Sequence, residues 1–120
     1  MAFNNKGMGI NAHHYKFPYK TVYNRLLKRA SKANMDVEFS YEEFLNYTKE
    51  KQCYYCHKNI NWVPHGKKAT RYHLDRKKSN EGYTLKNCVV SCPECNFFKG
   101  GMNEVDFLIK IEKIYNNLLK

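Results

Sequence analysis

The chain has 120 residues and a formal net charge of +10, from 21 Lys and Arg against 11 Asp and Glu. This length suits one domain with a modest core, and no stretch is apolar and long enough to cross a membrane. The first residues lack the apolar run of a secretory signal, so we expect a cytoplasmic protein with reduced cysteines. The charge favours nucleic acid as the partner, although a lysine-rich surface also serves solubility alone.

Apolar spacing predicts two helices in the first half of the chain. Residues 1–19 have no periodicity and are interpreted as an irregular basic arm. Over 20–34, apolar residues recur every three or four positions. The other face of that helix carries cations that meet either water or DNA phosphates: Lys20, Arg25, Lys28, Arg29 and Lys32. A second helix is predicted to follow Ser40, which can form a capping box with Glu43, and to end near residue 50.

Two Cys-x-x-Cys pairs dominate the second half: Cys53 with Cys56, and Cys92 with Cys95. Pairs separated by a few tens of residues have the spacing of a four-thiolate zinc site, in which each pair forms a tight turn. Zinc binding would add folding free energy to a small core. The fifth cysteine, Cys88, has no partner at this spacing and is predicted to be a buried strand residue.

Around the second cysteine pair, the pattern predicts strand, loop, strand and helix. The first strand is expected over 71–76, because its polar and apolar residues alternate. The second is the apolar run 88–90. A short helix is predicted over 92–99, with Pro93 in its first turn and Gly100 marking its end.

A final helix is predicted over 103–118, with Asn103 as its N-cap. Its apolar residues form a stripe that is expected to be core or an interface, with no feature of a cofactor site. They are Val105, Leu108, Ile109, Ile111, Ile114, Tyr115 and Leu118.

Asp75 lies on the first predicted strand and Asn96 in the first turn of the short helix. When a helix follows a hairpin and folds back across it, two such side chains can converge on one cation. Carboxylate and amide oxygens suit Mg²⁺ or Mn²⁺ and leave coordination positions for water and phosphate. The sequence therefore predicts a second, oxygen-ligated metal site apart from the zinc.

The stretch from Cys53 to Met102 resembles the HNH nucleases of the ββα-metal superfamily. The motifs that carry the resemblance are Y-H-L-D-R, G-Y-T-L-K-N and C-P-E-C-N-F-F-K-G-G-M. It implies an α+β fold, with a treble-clef-like ββα-metal core over 51–102 held by the four-cysteine zinc. A helical lead-in over 20–50 and a C-terminal helix over 103–120 complete a single domain of residues 1–120.

The resemblance also implies roles for individual residues. Asp75 and Asn96 map to the ligands of the catalytic Mg²⁺ or Mn²⁺, and Asn87 maps to the asparagine that ties the loop between the strands. The zinc is structural and distant from the chemistry.

The chain departs from this family at Arg76, where the family usually has the histidine that deprotonates water. Arginine stays protonated and cannot be an ordinary base. Three groups could replace the histidine. His73 is expected on the same strand face as Asp75, and Tyr83 could act as nucleophile or base, as in some relatives that have arginine at this position. The third is a metal-bound water, with Arg76 stabilising the transition state.

The resulting hypothesis is a metal-dependent endonuclease that hydrolyses phosphodiesters of double-stranded DNA. Lys99 and the basic face of the first helix are expected to hold flanking phosphates. A monomer would nick one strand, and a homodimer could break both. The alternatives are a zinc-stabilised nucleic-acid-binding protein that cuts nothing, and a zinc-stabilised protein-interaction module.

Overall fold

The computed structural model describes residues 16–67 and 69–120, which form four helices and one two-stranded sheet. The order of elements is the α+β order expected from the sequence. Within these residues, no helix is long and apolar enough to span a membrane. The elements are α1 (Lys20–Lys32), α2 (Tyr41–Thr48), β1 (Leu74–Arg76), β2 (Cys88–Val90), α3 (Pro93–Lys99) and α4 (Glu104–Leu118).

The main core lies between α1, α2 and the segment after the first cysteine pair. The apolar face of α1 is buried, with Leu26 and Ala30 almost inaccessible. Aromatic rings fill the space next to it: Phe44 lies 5.4 Å from Tyr23 and 6.0 Å from Trp62, centroid to centroid. Edge-to-face and tilted packing of this kind adds stability beyond area burial, so the lead-in helices are firmly attached to the rest.

The predicted capping box at the start of α2 is confirmed. The Ser40 hydroxyl accepts from the Glu43 amide at 3.1 Å, and the Glu43 carboxylate accepts from the Ser40 amide at 2.9 Å. Both acids in the first turn, Glu42 and Glu43, also suit the helix dipole. A local sequence signal was sufficient here because both partners lie within one turn.

The two strands form an antiparallel hairpin in the register Leu74 with Val90, Asp75 with Val89, and Arg76 with Cys88. The second strand is the one predicted. The first is shorter than expected, because Tyr72 has φ of +55°. A bulky residue in the left-handed region interrupts extended backbone, so the regular alternation expected from residue 71 begins only at Leu74.

α3 follows β2 directly and begins at Pro93, with Cys92 as its N-cap. It ends at Gly100, whose φ of +57° favours glycine. α4 begins at Glu104, but of its residues only Phe107 is buried. Its apolar stripe was expected to be core or an interface. The stripe lies on the surface, so the first of these expectations is wrong and the second stays a prediction.

Candidate metal centre and active site

The four cysteines of the two pairs come together as predicted. Their sulfur atoms all lie within 4.8 Å of one another. Each pair is a turn in which backbone amides donate to sulfur, as from Tyr55 to Cys53 at 3.3 Å and from Cys95 to Cys92 at 3.3 Å. Four convergent thiolates are the ligand set of a structural zinc site, so this cluster could hold a zinc ion.

The electrostatics of Cys53 suit a metal ligand. Burial disfavours its thiolate, but hydrogen bonds from three surrounding backbone amides outweigh burial and lower the pKa of the thiol to about 7. Cys88 differs, because it is buried in β2 outside the cluster. Burial raises its pKa to about 12, so its thiol stays protonated, as expected for a structural strand residue.

A second site lies where β1, α3 and the loop after β1 meet. It is a cavity of about 200 Å³. Four of the six residues predicted to be catalytic line it, and they come from three separate elements. The lining residues are Arg29, Tyr72, Leu74, Asp75, Arg76, Ser79, Tyr83, Asn96, Lys99, Gly100 and Gly101.

Asp75 lies at the base of this cavity and is almost fully buried. Two groups bind its carboxylate: the Tyr55 hydroxyl donates to Oδ2 at 2.7 Å, and Lys99 Nζ lies 3.3 Å from Oδ2 and 3.4 Å from Oδ1. Burial, then the hydrogen bond to Asp75, raises the pKa of Tyr55, so the phenol remains the donor. Tyr55 lies between two cysteines, and no local pattern predicted its contact with Asp75.

Lys99 corrects one expectation. It was predicted to hold a flanking phosphate, but its side chain is fully buried. The ammonium instead binds Asp75 and donates to the carbonyl oxygen of Arg76 at 3.0 Å. A buried lysine requires such partners, and Lys99 is therefore a component of the cavity floor. Its position three residues after Asn96, on the same side of α3, was a usable signal.

Asn96 presents its amide to the same cavity. Its Nδ2 donates to the Tyr72 carbonyl at 2.9 Å, which leaves the Oδ1 oxygen as the atom for a cation. The carboxylate of Asp75 also retains acceptor capacity, because an ionised carboxylate has about four lone-pair sites. A carboxylate and an amide oxygen together fit a hard divalent cation such as Mg²⁺ or Mn²⁺.

Arg76 is held rigidly at the wall of the cavity. Its Nη1 donates to the carbonyl oxygens of Ser79 at 2.7 Å and Glu81 at 3.0 Å. The guanidinium carbon lies 5.1 Å from the centre of the Tyr83 ring, a cation–π distance. A fixed positive charge and a phenol therefore stand side by side.

His73 does not line this cavity, so the structure does not place it with the other residues predicted to be catalytic. Its ring packs edge-on against Trp62 at 5.2 Å, and Nε2 lies 3.2 Å from the Asn61 carbonyl oxygen. Burial lowers the pKa of the imidazole. The His73 carbonyl still accepts from the Ser91 amide at 2.7 Å, so the backbone continues the hairpin while the side chain packs against Trp62.

Asn87 ties the loop between the strands. Its Nδ2 donates to the carbonyl oxygens of Lys78 at 3.1 Å and Gly82 at 3.0 Å, and its Oδ1 accepts from the Lys78 amide at 2.9 Å. The side chain is almost fully buried. These three bonds fix the loop that carries Ser79 and Tyr83 to the cavity.

The basic face of α1 approaches the cavity from one side. Lys28 and Lys32 are exposed. Arg29 lines the cavity, with its guanidinium 5.2 Å from the Tyr72 ring centre. Arg25 is used differently, since it donates to the Ala69 carbonyl at 3.1 Å. The predicted cationic face is present, and Arg29 connects it to the cavity.

No model of a known protein family matches the chain. The uncharacterised protein R423 of Acanthamoeba polyphaga mimivirus is 30% identical over 108 residues, which are 90% of this chain and 19% of that protein. The chain thus spans about a fifth of the length of that relative. Among solved structures, the rare-cutting HNH restriction endonuclease PacI superposes with a TM-score of 0.59 and 23% identity, over 79% of this chain and 75% of that one.

The chain has the fold of an HNH endonuclease. Within this HNH fold, the cysteine cluster and the cavity share α3: Cys92 and Cys95 lie at its beginning, Asn96 follows at once, and Lys99 closes it. The cluster therefore positions the helix from which the cavity receives two of its polar groups.

Proposed function

We propose that this protein is a metal-dependent endonuclease that hydrolyses phosphodiester bonds of DNA. The observation that carries the proposal is the cavity of an HNH fold in which Asp75, Arg76, Tyr83 and Asn96 meet. The net charge of +10 and the basic face of α1 beside the cavity support a polyanionic substrate.

In the proposed mechanism, Asp75 and Asn96 hold Mg²⁺ or Mn²⁺. When bound, the cation stabilises charge on the scissile phosphate and on the leaving oxygen. Lys99 and Tyr55 hold the Asp75 carboxylate in place. The guanidinium of Arg76 offsets negative charge that develops on the phosphate, and its bonds to backbone carbonyls keep it from reorienting.

For the attacking group, the placement of side chains favours Tyr83 over His73. Tyr83 lines the cavity beside Arg76, whereas His73 packs against Trp62. We therefore assign to Tyr83 the role of nucleophile, or of base toward the attacking water, and in either role its phenolic proton is first lost to solvent; His73 has a packing role against Trp62. Activation by the cation alone is the competing outcome of the test.

The test is conversion of supercoiled plasmid in Mg²⁺, Mn²⁺ or EDTA. We expect nicked or linear product only with a divalent cation, and loss of at least about 100-fold in rate for Asn96→Ala and for Tyr83→Phe. His73→Ala should retain most activity. Asp75→Asn should lose activity as Asn96→Ala does. Its control is Asp106→Asn, which changes an exposed acid on α4 and should retain activity.

Each variant should first be checked for its thermal unfolding midpoint and zinc content, so that loss of activity is not loss of fold. A wild-type protein that never converts plasmid would overturn the proposal. Full activity in both Asp75→Asn and Asn96→Ala would do the same. If Tyr83→Phe cuts as fast as wild type, Tyr83 is not the base or nucleophile, and the attacking water is activated by the cation alone.

One observation favours a second candidate, a zinc-stabilised DNA-binding protein without catalysis. The charge of Asp75 is already balanced by a buried ammonium, that of Lys99, which reduces the attraction of the site for a divalent cation. This candidate predicts salt-dependent DNA binding that is unchanged by EDTA. Calorimetric titration of the protein with Mn²⁺ separates the two, since only the nuclease requires the cation to bind at the cavity.

A further inference from the structure

Tyr72 stands at the edge of the cavity, and its side chain has no role in the proposed cleavage. It lines the cavity together with Asp75 and Asn96, and 53% of the residue remains exposed. The guanidinium of Arg29 lies 5.2 Å from the ring centre, so it covers one face of the ring at a cation–π distance. Among the residues that the structure describes, no other ring or cation contacts Tyr72. The second face of its ring is therefore open to solvent.

The backbone of Tyr72 has a conformation that a tyrosine rarely adopts. Three non-glycine residues of the described chain have positive φ, and of these only Tyr72, at +55°, lines the cavity. This conformation is unfavourable for a bulky side chain, and residues that keep it cluster at functional sites. The Tyr72 carbonyl accepts from Asn96 Nδ2 at 2.9 Å, but a glycine would supply the same carbonyl without strain. The contact with Asn96 accounts for the backbone and leaves the ring unexplained.

The charge beside the ring suits a phosphate group. Four charged residues line the cavity, and the one acid among them, Asp75, is paired with the buried Lys99. Arg76 donates to backbone carbonyl oxygens of the loop. The guanidinium of Arg29, by contrast, has no hydrogen bond or ion pair within the described part of the chain, so its donors are available. Because arginine donors match the geometry of a phosphate, the edge of the cavity offers an aromatic face and a phosphate-binding cation side by side.

A ring and a cation in this arrangement match a single nucleotide, with its base on the ring and its phosphate on the cation. Aromatic side chains stack on the face of any base, and arginine adds to such stacking. In a duplex, neighbouring base pairs cover both faces of each base, and the grooves present only base edges. A base can therefore reach the Tyr72 ring only if it leaves the duplex stack or belongs to a single strand.

We propose that Tyr72 and Arg29 bind one unstacked nucleotide of the DNA next to the bond that is cut, with the base on the open face of the Tyr72 ring. This inference rests on the proposed function in taking DNA as the ligand and the cavity as the place of cleavage. It narrows the substrate to DNA that is single-stranded at this position or loses its stacking there on binding. Because stacking does not read base edges, this contact favours no particular base.

Binding in EDTA, with zinc retained in the protein, tests the contact without any cleavage. The two ligands are a labelled strand of thymidines and a strand of the same length whose sugars carry no bases, and fluorescence anisotropy gives the affinity for each. Their phosphate charge is equal, so the ratio of the two affinities isolates the bases. We expect wild type to bind the thymidine strand about 10-fold more tightly. Tyr72→Gly should lose most of this preference, and Tyr72→Phe, which keeps the ring, should retain it.

Three comparisons separate the contact from loss of fold and from charge. Glycine favours the φ of residue 72, so Tyr72→Gly should stay folded, as the fluorescence of the buried Trp62 will report. Tyr115→Ala is the matched control, because it removes a ring of similar exposure, 51%, from α4; it should keep the wild-type preference. Arg29→Gln should weaken binding of both strands and lower its salt dependence by about one phosphate contact.

Equal binding of the two strands by wild type, or an unchanged preference in Tyr72→Gly, overturns the base contact. An unchanged salt dependence in Arg29→Gln overturns the phosphate contact. Failure of the proposed function is distinguishable from both: a protein that prefers the thymidine strand through Tyr72 but never converts plasmid refutes cleavage and leaves the nucleotide site standing. Plasmid conversion without that preference refutes the nucleotide site alone.

Discussion

Replacing Lys99 with methionine tests the buried ion pair at the base of the cavity. Lys99 and Asp75 lie 3.3 Å apart, with side-chain exposures of 0% and 6%. Methionine keeps much of the apolar stem and removes the charge. The buried Asp75 carboxyl then has one of its two partners left, the Tyr55 hydroxyl.

The expected cost follows from this geometry. At an effective dielectric constant of about 20, two charges at this distance attract by about 5 kcal/mol. Breaking a buried pair by removing one partner costs about 3–5 kcal/mol. The remaining Tyr55 bond to Asp75 places Lys99→Met near the lower limit, at about 3 kcal/mol. For a chain of this size that is a fall of about 10 °C in the unfolding midpoint.

The assay is urea unfolding with zinc present, on wild type and four variants. Lys99→Met and Asp75→Asn should each be destabilised. The double variant should be less destabilised than the sum, with a coupling of about 2 kcal/mol. Lys58→Met is the control: it breaks a shorter pair, 2.7 Å from Glu94, but one that is exposed, and it should have no measurable effect.

The opposing interpretation is that Lys99 serves only to hold a DNA phosphate. In that case Lys99→Met would unfold like Lys58→Met and would weaken DNA binding instead. Equal stability of those two variants, or strict additivity in the double variant, would refute the reasoning from burial.

Two further predictions concern the frame of the site. Metal analysis should find about one zinc per chain. Cys92→Ser should lose the zinc and Cys88→Ala should keep it, because of these two only Cys92 belongs to the four-sulfur cluster. Retention of zinc by Cys92→Ser would contradict the cluster. Asn87→Ala removes three partly buried hydrogen bonds and leaves backbone groups of Lys78 and Gly82 without these partners. The variant should have a free energy of unfolding in urea that is lower by about 2 kcal/mol. A change within error would show that the loop keeps its conformation without the Asn87 side chain.

Features encoded within a few residues were predictable from the sequence. The capping box, the cysteine turns and the start of α3 at Pro93 each depend on partners close in the chain. The meeting of Asp75 with Asn96 in one cavity was also predictable, because a helix that follows a hairpin must fold across it. The four-cysteine cluster belongs to the same class, since each pair forms its own turn.

The positions of His73 and Lys99 were not predictable in the same way. The position of the His73 ring depends on its packing against Trp62, 11 residues earlier in the chain, and alternation along a strand carries no signal for that contact. Lys99 has one local signal, its position three residues after Asn96 on the same side of α3, but its partner Asp75 lies 24 residues earlier, and burial of the pair was not predictable from that spacing. Tyr55 is a third case, because nothing local distinguishes it from the exposed Tyr54.

The stripe on α4 shows a different limit. Periodicity establishes that a helix has an apolar face, but it does not say what covers that face. In α1 the apolar face, including Leu26 and Ala30, is buried by the rest of the domain. In α4 the domain covers Phe107 alone, and the same pattern therefore describes a surface.

α3 makes the chain intolerant of length changes over a short, defined interval. Cys95, Asn96 and Lys99 all lie on one short helix. One inserted residue would rotate the helical residues after it by about 100° relative to those before it. An insertion between Cys95 and Asn96 should therefore leave the cysteines able to bind zinc but move Asn96 and Lys99 away from the cavity, with the loss of stability expected for breaking the buried pair. The exposed stretch near Gly66 has no such constraint, and insertions there should be tolerated. Variation in length among related chains is expected to follow this division.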